Sequence, residues 1–210
     1  MKRSGFREMS PYRYPLYILL HPKDGFQEMM INRKQSPLAA GAIVAAWLLV
    51  ELFYRTCTDF DMNPFRIQQT NLLRVAVITV LMYAMACVAN WCFCTLLDGK
   101  GKLKDIFIVG AYSLLPYVIV RFFTVSLSWV LVGSEKILLD FCVVISQLWC
   151  AVTALCGLQE IHEYSLKKVL FSLFLTVVGI VIMLFLSLLV IMLGQQLYYF
   201  AATVAFELRY

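Results

Sequence analysis

Residues 169–193 run for 25 positions without a charged side chain. At 1.5 Å per residue that is about 37 Å of helix, enough to cross a hydrocarbon core of about 30 Å. Backbone in lipid must satisfy its own hydrogen bonds, which leaves helices or closed barrels as the spanning structures. Four more apolar runs are long enough to span: residues 37–56, 72–97, 106–131 and 138–158. The sequence therefore predicts an all-α, polytopic membrane protein with five transmembrane helices. Composition agrees, because 61% hydrophobic and 15% charged residues would leave a soluble domain of this size with too much bare apolar surface. The first run begins after a 36-residue tail, too far along for a short cleavable leader, so the tail is expected to be retained.

Charge placement orients the spans. The tail carries Lys2, Arg3, Arg7, Arg13, Lys23, Arg33 and Lys34. The loop at 98–105 carries Lys100, Lys102 and Lys104, and the loop after the fourth span adds Lys167 and Lys168, making twelve on one side. The other side has Arg55, Arg66, Lys136 and Arg209, four in all. Cytoplasmic loops hold the excess of Lys and Arg, so the N-terminus is expected in the cytoplasm and the C-terminus outside. The net charge of +5 is thus a matter of sidedness, with a basic face toward anionic lipid headgroups. Without an aromatic platform among those basic residues, nucleic acid is not an expected partner.

Within the tail, Tyr12 to Leu20 form an aromatic-apolar run too short to span, broken by His21-Pro22. Asp24 can cap a helix in which Phe26, Met29, Met30 and Arg33 share one face. That pattern predicts an interfacial helix on the inner leaflet, with docking on a partner protein as the rival. Phe26, Met29, Met30, Lys100, Lys102 and Lys104 are accordingly the candidate lipid or partner contacts. The tail at 195–210, with Leu197, Tyr198, Phe200, Phe206 and Leu208, is apolar enough to lie on the outer leaflet or a partner.

Motifs for chemistry are sparse. Asp59 to Asn63 has the start of a calcium loop, but Pro64 and Thr70 stand where the turn glycine and the closing glutamate belong. The GKGK at 99–102 lacks the frame of a phosphate-binding loop, and His162-Glu163 lacks the second histidine of a zinc motif. Cys92 and Cys94 lack a second pair or nearby histidines. Six of the seven cysteines fall within the spans, where cysteine behaves as a small hydrophobe. No catalytic, cofactor or metal site is expected.

The spans do carry polar stripes, such as Gly110, Ser113, Tyr117, Arg121, Thr124 and Ser128 in the third. These suit close helix packing or, alternatively, a polar-lined crevice. Glu51 and Arg121 sit at matched depth, roughly 21–23 Å from the same side, and form a candidate ion pair. Pro116 predicts a kink that could open a crevice beside Asn90, Tyr112 and Tyr117.

Four segments resemble the Ypt-interacting-protein family of Yip-domain membrane proteins, in its bacterial branch. They are HPKDGFQEM at 21–29, NWCFCTLLDGKGKLKDIFIVGAYSLLPY at 90–117, GLQEIHEYSLKKVL at 157–170 and QQLYYFAATVAFELRY at 195–210. The resemblance implies five transmembrane helices with the N-terminus cytoplasmic and the C-terminus outside. It also implies a non-enzymatic, partner-binding role, since eukaryotic relatives bind small GTPases and one another in vesicle trafficking. No catalytic residue carries over. The expected function is an interaction or accessory subunit of a transport or envelope complex in the cell membrane. The alternative is a small transporter or lipid-handling protein that uses the polar crevice.

Overall fold

A computed structural model describes residues 13–60, 62–63 and 71–207. Lys2, Arg3, Arg7, Arg66 and Arg209, together with the loop positions Asp61, Pro64 and Thr70, lie outside the described residues. Within them the chain is helical, in the order α1 (Tyr14–Leu20), α2 (Pro22–Ile31), α3 (Pro37–Cys57), α4 (Leu72–Leu96), α5 (Leu103–Ser113), α6 (Leu115–Leu127), α7 (Lys136–His162) and α8 (Leu166–Glu207). Five segments are long and apolar enough to cross a membrane: Pro37–Cys57, Leu72–Leu96, Leu103–Leu127, Gly133–His162 and Leu166–Val204.

Local chemistry sets the ends. Pro37 opens α3 behind Ser36, whose hydroxyl accepts the Ala39 N–H at 3.2 Å. Asn71 caps α4 in the same way through the Arg74 N–H at 3.1 Å. The third span starts three residues before the apolar run because the Asp105 carboxylate accepts the Lys102 N–H at 3.2 Å, which caps a turn that includes Lys104. Its helix is interrupted at Leu114, two residues before Pro116, because the proline ring has no N–H to continue the ladder. The sequence had marked a kink at this proline.

Two boundaries differ from expectation. The apolar stripe of the N-terminal helix turns into the protein. Phe26 and Met29 are 0% and 1% exposed, and they join Tyr14, Ile18, Ile108, Val109 and Ile161 in the main core. Gly157 of α7 leaves the room for Phe26, since a Cβ there would come within 3.0 Å of its ring. Met30 is partly buried against the same core. The end of α1 reaches along α7 to Trp149, whose indole N–H donates to the Leu19 carbonyl at 2.9 Å. Trp149 is 13 residues from either end of α7. The periodicity correctly gave a helix with an apolar face, but that face meets protein, because Gly157 of α7 leaves room where it docks.

The last helix also continues past the expected end at residue 193. It holds 42 residues without a break, about 63 Å of helix. Gln195, Gln196 and the residues beyond are ordinary helix formers, and Gly194 alone is too weak a breaker to stop it. A separate tail lying flat would need a bend that α8 does not have.

Candidate functional site

The strongest charged cluster within the spans gathers on α3 and α6. Glu51 forms its ion pair with Arg55, one turn along the same helix, at 3.0 Å. Its other carboxylate oxygen accepts from the Tyr117 hydroxyl at 3.4 Å, and that hydroxyl in turn accepts from the Arg121 Nε at 3.2 Å. The Arg121 guanidinium then lies 3.8 Å over the Tyr54 ring. Glu51 and Arg121 are therefore linked through Tyr117 and not by a direct ion pair. A partner at i+4 needs no helix-to-helix approach, so Arg55 reaches Glu51 first. The sequence reading had assigned Arg55 to the outer side and missed this neighbour.

The candidate crevice residues separate. Asn90 is 4% exposed and its amide donates to the Thr176 hydroxyl at 2.9 Å, tying α4 to α8. Tyr112 is 1% exposed, and its hydroxyl donates to the Ser36 carbonyl at 3.4 Å. Both are packing residues. Tyr117 alone of the three lines a crevice, one of about 440 Å³ bounded by Trp47 and Glu51 of α3, Thr79 and Met82 of α4, and Gln147 of α7. The opening arises because α4 buries residues only in its second half, from Met85 to Cys94. Its first half stands away from α6 and α7, with Ile78 and Met82 exposed along the rim. Gln147 was missed in the sequence, where a lone glutamine between Ser146 and Leu148 gives no periodic signal.

At the opposite end of the crevice-bearing helices, the 98–105 loop closes on α7. His162 is 2% exposed and stacks on Tyr164 with ring centroids 5.1 Å apart. Its Nδ1 accepts the Gly101 N–H at 3.3 Å, and its Nε2 is buried without a hydrogen-bond partner among the described residues. The Tyr164 hydroxyl reaches the Cys94 and Leu97 carbonyls at 3.1 and 3.0 Å, which leaves the end of α4 satisfied. Gly99 and Gly101 are required by closeness: a Cβ at Gly99 would sit 2.5 Å from His162 Nδ1, and one at Gly101 would sit 2.8 Å from His162 Cε1. Asp98 and Glu163, at φ 59° and 54°, turn the chain out of α4 and α7 in the left-handed region. Lys100 pairs with Glu163, while Lys102 and Lys104 are exposed. The GKGK segment thus packs against a histidine that sequence reading had left without a role.

Among the described residues no group of three His, Cys, Asp or Glu side chains comes together. Cys92 is exposed and Cys94 buried, so the pair faces different surroundings.

The fold and the placement of these groups define a multi-pass helical membrane protein in contact with the lipid bilayer. The Yip1 domain family model matches residues 16–189, and the chain belongs to that family. No curated protein matches the chain. No solved structure matches it either.

Proposed function

We propose that the protein is a non-enzymatic interaction or accessory subunit of a membrane complex, of the transport or envelope kind, in the cell membrane. The observation that carries this reading is the outer part of α8. Every residue from Leu184 to Val204 is exposed, including Leu197 at 70%, Tyr198 at 71% and Phe200 at 70%. A helix of about 63 Å is twice the depth of a hydrocarbon core of about 30 Å. Apolar side chains beyond that depth need cover, and a partner membrane protein supplies it. The twelve-to-four distribution of Lys and Arg supports an N-terminus in the cytoplasm and α8 ending outside.

Photo-crosslinking from Leu197 or Tyr198 in native membranes tests the reading. One stoichiometric protein adduct is the expected result. Adducts to lipid alone would sink it.

A second reading is favoured by a separate observation, the lateral crevice with polar walls. On this reading the protein holds a membrane ligand between α3, α4, α6 and α7. Glu51→Leu or Arg121→Leu would then abolish ligand handling while the fold persists; variants that merely unfold would leave both residues with a structural role.

A further inference from the structure

We propose that this crevice binds a neutral amphiphile bearing a hydroxyl or amide group, with its hydrocarbon part leaving between α4 and α7. The inference rests on the second reading, that the crevice takes a membrane ligand. Trp47, Thr79 and Gln147, which carry an indole N–H, a hydroxyl and a carboxamide, line the same space. Among the described residues none of the three has a hydrogen-bond partner, although Trp47 meets Tyr83 edge to face with centroids 6.0 Å apart. In hydrocarbon an unpartnered amide or hydroxyl is costly, so three such residues lining one opening call for a ligand that supplies the missing bonds.

The chemistry of that ligand follows from what is already taken. The Glu51 carboxylate in the wall is occupied by Arg55 on one oxygen and Tyr117 on the other. Arg121 is turned to Tyr117 and Tyr54, away from the lining. Neither an anion nor a cation finds a free counter-charge here, and an anion would meet Glu51. Trp47 can only donate, whereas Thr79 and Gln147 can both donate and accept. Their complement is a hydroxyl or amide beside an ester or carbonyl oxygen. Ile78, Met82, Leu114 and Cys150 form the apolar remainder of the wall and suit an acyl or isoprenoid chain. The volume of about 440 Å³ falls within the range of small-molecule sites.

The test uses the full-length chain in phosphatidylcholine vesicles containing a diazirine-bearing diacylglycerol, with adducts mapped by mass spectrometry. Adducts should concentrate on the crevice faces of α4 and α7 relative to Leu186 on exposed α8. The double variant Thr79→Val with Gln147→Leu should lower them about fivefold or more with the thermal midpoint unchanged. A parallel arm replaces the probe with a diazirine-bearing phosphatidylglycerol. Equal or stronger crevice labelling by this anion would overturn the neutral ligand class while leaving a ligand-binding crevice. Labelling no greater than at Leu186 with either probe would overturn the crevice reading itself.

Discussion

At the scale of single residues, Tyr117 is the hinge of the polar interior. Its hydroxyl donates to Glu51 and accepts from Arg121, so Tyr117→Phe removes both bonds at once. Hydrogen bonds in membrane bundles contribute about 0.6 kcal/mol on average and up to about 1.7 kcal/mol. The expected loss is about 1–2 kcal/mol in detergent unfolding. An unchanged midpoint would mean the bridge does not form. A sterner case is Gly99→Ala. The added methyl would lie 2.5 Å from His162 Nδ1, 2.7 Å from the Tyr164 hydroxyl and 2.8 Å from the Cys94 carbonyl. Overpacking of this kind costs about 1–3 kcal/mol, and it should also raise hydrogen exchange across residues 98–105. Exchange like that of the parent chain would show that the loop does not rest on His162.

Among elements, α4 and α8 make the clearest contrast between packed and free helix. Gly179 faces Phe93, with 2.4 Å to its ring from a Cβ placed there, whereas a Cβ on Gly194 meets nothing among the described residues within 4 Å. Gly179→Leu should therefore separate the two helices and lower the thermal midpoint. Gly194→Ala should be neutral or stabilising by up to about 1 kcal/mol through helix propensity alone. Equal effects at the two sites would contradict the packing. The α1–α2 segment is the element whose apolar face the sequence could not assign to an occupant. Apolar periodicity identifies a face but not its occupant, and a bilayer surface and a protein groove ask for the same Phe26 and Met29. What decides is the small surface at Gly157 of α7, more than a hundred positions away. Phe26→Ala should cost about 3–5 kcal/mol as a core cavity, far more than a lipid-facing position would. A loss below about 1 kcal/mol would return this helix to the bilayer surface.

For the whole molecule, the five spans were legible because lipid imposes length and hydropathy on each helix separately. The kink at Pro116 was legible for the same local reason. The crevice was not. It depends on α4 packing with α8 through Asn90 and Thr176 while its first half leaves α6 and α7, a relation between distant segments that no window of sequence contains. The expected kink at Pro116 marked Asn90, Tyr112 and Tyr117 alike, although of the three only Tyr117 lines the opening. Gln147, without periodic companions, carried no mark at all. This uneven α4 is the central claim, and cysteine crosslinking in native membranes tests it most directly. In a cysteine-free background, cysteines at Asn90 and Thr176, whose side chains meet at 2.9 Å, should join under a mild oxidant. Cysteines at Thr79 and Gln147, on facing walls, should resist the oxidant and join only through a long bismaleimide, because a disulfide needs Cβ atoms about 3.5–4.5 Å apart. A ready disulfide between positions 79 and 147 would show the crevice closed and contradict the account.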